Sequence, residues 1–174
     1  MSEKIRLEDR LRGGMWGLLV GDALGVPYEF HRPEKLPEAI DLWPPANFDR
    51  AHKRIPPGTY SDDGAQALCL LATLVEREGF DASDFAGRLV GWYDSGYMAV
   101  DHDVFDVGVQ TGIAIARLVE GVPPLEAGPA DERRNGNGSL MRVLPLALFH
   151  RGTDLELARD ADLQSRLTHG HARS

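Results

Sequence analysis

Ser61, Asp62 and Asp63 stand together in the run Pro-Gly-Thr-Tyr-Ser-Asp-Asp-Gly-Ala-Gln over residues 57–66. Three adjacent oxygen-bearing side chains suit a hard divalent ion such as Mg2+, which takes oxygen ligands in octahedral geometry and keeps several waters. Inside a helix, successive side chains point about 100° apart, so neighbours seldom reach one ion. At a helix start the backbone bends and they can converge. The following residues place Ala67, Leu68, Leu71, Leu74 and Val75 at helical spacing, which puts Ser61 at the N-cap and both acids in the first turn. A plainer arrangement suits the same residues: Ser61 caps the helix, and each acid favours its macrodipole by about 0.3–1 kcal/mol.

Other groups with chemical potential are spread along the chain. Asp22 lies in Gly-Asp-Ala-Leu-Gly-Val-Pro-Tyr-Glu, residues 21–29. An acid on an apolar helix needs donors, and capping backbone N–H groups would supply them; Glu29 falls just beyond, in a position to meet solvent or a ligand. Asp106 precedes a helical run and has the type and place of an N-cap. Asn135-Gly-Asn137-Gly138-Ser139 forms a glycine-rich turn before another helical run, where free N–H groups would suit an anion; an ordinary turn capped by Ser139 is the alternative. The order of its glycines matches neither a nucleotide P-loop nor a dinucleotide-binding fold. His169 and His171 flank a glycine near residue 174, a spacing open to metal, ligand or solvent.

The elements that must carry these groups read as helices throughout. Leu7, Leu11, Met15, Leu18 and Leu19 recur at helical intervals, and Gly25 and Pro27 end that segment. Its glycines, Gly13, Gly14, Gly17, Gly21 and Gly25, predict close approach by a neighbouring helix or a ligand. Residues 31–60 are proline-rich and aperiodic, a long ordered loop. Phe85, Leu89 and Trp92 define one face of a helix beginning near Asp81. Residues 107–121 form another, stopped by Gly121, Pro123 and Pro124. A last helix is expected from Ser139 to His150, with Pro145 near its start. No strand alternation persists, so an all-α domain over residues 1–174 is expected.

Composition sets the outer bounds. With 174 residues, 43% of them hydrophobic, the chain can build a core, and a net charge of −8 without a Lys/Arg block argues against nucleic acid as a partner. Its one cysteine, Cys69, sits in an apolar run and fits a reduced, buried thiol and a cytoplasmic location. The charged N-terminal stretch lacks a signal peptide's apolar core, and no apolar run reaches the roughly 18 residues of a membrane span.

Taken in order, Gly17 to Glu29, Tyr60-Ser61-Asp62-Asp63, Phe105-Asp106-Val-Gly, Gly136-Asn137-Gly138-Ser139-Leu-Met-Arg142-Val-Leu-Pro145 and Leu167-Thr168-His169 resemble the ADP-ribosylglycohydrolase family. The resemblance implies a compact orthogonal multi-helix fold with a binuclear Mg2+ or Mn2+ centre. It implies hydrolysis of the glycosidic bond between ADP-ribose and a modified protein side chain such as arginine or serine. By position, Ser61, Asp62 and Asp63 resemble the family's first metal-ligand set. Glu29 is similar to its metal- and ribose-facing acid, and Asp106 to its acid/base residue. Asn137, Gly138 and Ser139 are similar to its phosphate and ribose loop, and His169 to its substrate-side histidine. Ser61 keeps the hydroxyl of the family's threonine, whereas Gly64 replaces a hydroxyl residue. The family's later Asp-x-Asp-Thr motif does not occur in these residues, so the domain is expected to be partial. The expected partner is ADP-ribose or an ADP-ribosylated protein, together with a C-terminal half or a second copy of the chain. A non-catalytic or truncated relative that binds ADP-ribose-like ligands, or has only a structural role, is the competing expectation.

Overall fold

A computed structural model describes residues 5–174; the first four residues of the charged N-terminal stretch lie outside the described residues. Among those described there are helices and loops and no strand, as expected. The α-helices are α1 (Leu7–Gly25), α2 (Asp62–Glu76), α3 (Ala82–Ser95), α4 (Val109–Val119), α5 (Pro124–Ala127), α6 (Leu144–Phe149) and α7 (Asp154–Arg166). None of these helices is long and apolar enough to cross a membrane.

Helix α2 is the centre of the packing, set against α1, α3 and α6. Its buried face carries Ala65, Cys69, Leu70 and Leu74, while Val75 is exposed, so the apolar stripe is rotated from the expected one. Phe85, Leu89 and Trp92 of α3 are buried against it, joined by Ile115 of α4 and Leu146 of α6. Burying each such side chain contributes about 1.5–3 kcal/mol. Burial pushes the Cys69 thiol up to about 12, which fits an inert core residue. Helix α3 begins where its sequence predicts, with the Asp81 carboxylate accepting from the Asp84 N–H at 2.8 Å, and the chain leaves it through Gly96 at φ +71°. A Cβ there would lie 2.4 Å from the His102 carbonyl oxygen.

Three expectations change. On α1 only Gly14 meets a neighbour, with Leu148 3.0 Å from where its Cβ would be; Gly13, Gly17, Gly21 and Gly25 face open space among the described residues. The helix expected from Ser139 is only Leu144–Phe149, because residues 139–142 turn to bury Arg142. Helix α7, unexpected from periodicity, is closed by a capping box between Thr153 and Glu156.

The 31–60 loop is held by polar anchors in place of a regular ladder. The Tyr28 hydroxyl donates to the Asp41 carbonyl at 2.8 Å and accepts from the Asp41 N–H at 3.1 Å. Arg50 donates to the carbonyls of Ile55 and Lys53, and Ile55 packs with Val26 and Phe105. This loop thereby brings His52 beside the end of α1.

Candidate metal and ligand site

The Ser61 N-cap forms as its sequence predicts, with Ser61 Oγ accepting from the Asp63 N–H at 3.3 Å. Asp22 reinforces it from α1. Its carboxylate accepts from the Ser61 N–H at 2.9 Å, the Ser61 hydroxyl at 2.8 Å and the Gly64 N–H at 2.8 Å, so one side chain satisfies donors that a helix start leaves free. Gly64 is required by space: a Cβ would sit 2.8 Å from the Tyr60 ring and 2.9 Å from Leu19. A hydroxyl serves as one donor and accepts through two lone pairs. Ser61 Oγ has used its proton and one lone pair, and the other remains for a ligand.

Around this helix start Asp22, Asp62, Asp63 and Asp106 lie near enough for their charges to act on one another, although no three of them bring carboxylate oxygens within 4.8 Å of one another among the described residues. Burial, then the charges of Asp63, Asp106 and Asp22, push Asp62 up to about 8. Burial, then Asp22 and Asp106, push Asp63 up to about 6. Burial is also the largest cause of the upward shift of Asp22. Among the described residues, no lysine or arginine forms an ion pair with Asp22, Asp62, Asp63 or Asp106. Asp62 instead accepts from the Gln66 side-chain amide at 3.2 Å. Buried carboxylates without a countercharge are costly. Hard divalent cations are the counter-ions that oxygen donors of this type could hold.

Beside them, Glu29, His52 and Asp106 bring one ligand atom each to within 4.8 Å of one another. His52 Nε2 lies 2.6 Å from Glu29 Oε2 and 3.9 Å from Asp106 Oδ1. Burial raises the pKa of Glu29, offset by the His52 hydrogen bond. Asp106 is not an N-cap: Gly108 holds that place in α4. Its φ of +55°, with +62° at Phe30 and +45° at His52, puts three non-glycine residues of this corner in the left-handed region, strain of the kind that functional sites store. Sequence reasoning missed His52, which lies in an aperiodic loop 23 residues from Glu29 and 54 from Asp106.

Asn137, Gly138 and His169 share a cleft of about 620 Å3 with Gly108, Gln110, Arg134 and Gly136. The Gln110 amide holds its rim, accepting from the Gly136 N–H at 2.9 Å and donating to the Arg134 carbonyl at 3.0 Å. No helix starts at this loop, since residues 138–142 are turns, so the N–H groups it offers are those of a loop and not of a helix terminus. Ser139 is not a cap either: its buried hydroxyl pairs with Ser165 Oγ at 2.7 Å, on a different cavity. His171 forms no metal group with His169 among the described residues; its Nδ1 accepts from the Arg173 N–H.

A family model described as ADP-ribosylglycohydrolase matches residues 3–174. An ADP-ribosylarginine hydrolase of Pseudomonas putida is 35% identical over a match covering 92% of this chain and 42% of that protein. An ADP-ribosyl-[dinitrogen reductase] glycohydrolase of Rhodospirillum rubrum is 30% identical over 95% of this chain and 53% of that protein. A solved structure described as an ADP-ribosylglycohydrolase-related protein complex superposes with a TM-score of 0.75 at 34% identity, covering 96% of this chain and 51% of that one. The chain spans about half the length of the curated relatives it matches.

Proposed function

This chain belongs to the ADP-ribosylglycohydrolase family, and from that premise we propose that it supplies the cation-holding and ligand-holding walls of a hydrolase. The bond cleaved is the glycosidic link between ADP-ribose and a modified protein side chain, arginine or serine. The observation that carries this reading is the set of neighbouring aspartates with no lysine or arginine paired to them, linked through Asp106 to a cleft of ligand size that begins at Gly108. Ser61, Asp62 and Asp63 would hold Mg2+ or Mn2+, with two ions in the complete centre. When bound, such ions supply positive charge where negative charge develops and lower the pKa of water.

The remaining roles fall to this chain's own groups. Cleavage at an anomeric carbon builds oxocarbenium character, which the Asp106 and Glu29 carboxylates stabilise. Glu29 and His52 hold a proton between Oε2 and Nε2, ready for transfer at the ribose end. Asn137, Gly138 and His169 receive the diphosphate and ribose, and Ser139 acts from behind the loop by anchoring it to Ser165.

The test is release of ADP-ribose from an ADP-ribosylarginine peptide, with calorimetry of ADP-ribose binding alongside. The 174-residue chain alone is expected to bind ADP-ribose better than adenosine and to release little. Joined to the remaining half of a relative, it should turn over with Mg2+ or Mn2+, and Asp106→Asn or Glu29→Gln should slow it at least about 100-fold. Binding without turnover in the joined protein would favour the non-catalytic reading. Absence of both ADP-ribose and divalent-ion binding would leave only a structural role.

A further inference from the structure

Arg142 is fully buried, yet every one of its contacts is an acceptor: Nε donates to Gln164 Oε1 at 3.0 Å, Nη1 to Gln66 Oε1 at 2.7 Å, and Nη2 to the Gln164 carbonyl and Thr168 Oγ1, both at 2.8 Å. Its guanidinium also lies 5.2 Å over the Phe85 ring. A guanidinium cannot accept, so its neighbours must. That polarity passes outward in two directions.

Toward the cleft, Thr168 Oγ1 accepts from Arg142 and lies 2.8 Å from His169 Nδ1. If the imidazole donated here, the hydroxyl would accept twice and its own proton would be buried without an acceptor, because Thr168 Oγ1 has no further partner among the described residues. The hydroxyl therefore donates to Nδ1, and the proton of the neutral ring is on Nε2. That nitrogen has no hydrogen-bond partner among the described residues and borders the cleft; a Cβ on Gly138 would come within 3.0 Å of it. Toward the acids, Gln66 Oε1 is taken by Arg142, so the Gln66 amide N–H faces Asp62 Oδ2.

We infer that Thr168, polarised by Arg142, is a positioning residue that locks His169 as the Nε2–H tautomer and makes it a fixed N–H donor to a ligand oxygen beside Gly138. Burial, and then the Arg142 charge, push His169 down to about 4, in keeping with a ring held neutral. The lock itself is a property of the chain alone. What the donor meets rests on the reading that the cleft takes an ADP-ribose-type ligand.

Long-range 1H–15N correlation on the histidine-labelled chain reads the tautomer directly. The expected His169 spectrum has Nε2 protonated and Nδ1 as acceptor. Thr168→Val, which severs the link, should move the Nδ1 resonance to that of an acceptor with no donor and, by freeing the ring, weaken ADP-ribose binding about tenfold by calorimetry; Thr168→Ser should restore both. An Nδ1–H ring in the wild-type chain overturns the lock, and that measurement stands even if a variant fails to fold. An Nδ1 resonance and an ADP-ribose affinity both unchanged in Thr168→Val overturn it as well. An Nε2–H ring in a chain that does not bind ADP-ribose upholds the lock and overturns the ligand reading.

Discussion

At the amino end of α2, Asp62 and Asp63 stand beside Asp22 and Asp106 with no lysine or arginine paired to them among the described residues. At its carboxyl end, Asp84 of α3 accepts from Thr73 Oγ1 at 2.8 Å, Arg77 Nε at 2.8 Å and Arg88 Nε at 2.6 Å. Arg88 reaches on to Glu76 and the Tyr97 hydroxyl. The hydrogen bond from Arg88 leads in holding Asp84 down at about 2, whereas Asp62 is pushed up to about 8. One residue type on adjoining helices is thus driven in opposite directions. The carboxyl end has its countercharge within the fold and joins α2 to α3. The amino end has no such pairing, and under the proposed function its carboxylates are kept for a bound cation, as perturbed groups at a binding site are.

The sharpest way to separate the two ends is pH. Asp62 and Asp63 have folded values above the ordinary carboxylate, so their contribution is present at low pH and lost as pH rises through about 6 and about 8. Asp84 has a folded value below it, so its contribution is present above about pH 4 and lost as pH falls toward 2. In chelator, stability from urea melts should therefore fall by on the order of 3 kcal/mol between about pH 5 and pH 9, chiefly through Asp62. Asp62→Asn combined with Asp63→Asn should flatten that alkaline limb. A wild-type limb already flat in chelator would erase the contrast.

Divalent ions come next. Mg2+ or Mn2+ at about 100 times its Kd should stabilise the wild-type chain by about 2.7 kcal/mol. Asp62→Asn with Asp63→Asn should remove the gain, and Asp84→Asn should keep it; thermal melts at matched ionic strength decide. Asp84→Asn should itself cost about 2 kcal/mol, because it weakens charge-assisted bonds from two arginines at a mostly buried position. Equal stability of that variant and wild type in urea would mean that the paired end contributes nothing. The smallest effect is expected at a cap remote from both ends: Thr153→Ala should lower stability by about 1 kcal/mol and leave the divalent gain intact.

What could be read from sequence follows the range of the interaction. The Ser61 and Asp81 caps involve partners two and three residues away, so their signals are local. Helix α7 had such a signal in Thr153-Asp-Leu-Glu156, but its buried positions include Gln164 and Ser165, and a periodicity built on apolar residues passes over it. The run after Ser139 is apolar enough for a helix, yet Arg142 must turn inward to reach Gln66, 76 residues earlier, and the turn shortens α6. Asp106 resembles a cap by position, and the fold commits it to His52 and the neighbouring acids.

By itself the sequence determined that the chain is helical, where α1 ends, where α2 and α3 begin and roughly where α4 lies, that Ser61 opens α2 with two acids behind it, and which family the ordered motifs resemble. These rest on spacing and on bonds between near neighbours. Only the tertiary structure decided that Asp22 caps α2 from another helix, that His52 joins Glu29 and Asp106, and that Arg142 links Asp62 to His169. It also decided the opposite shifts of Asp62 and Asp84, because the energy of a charge is set by the distance and burial of its neighbours in space, and those neighbours come from segments far apart in the chain.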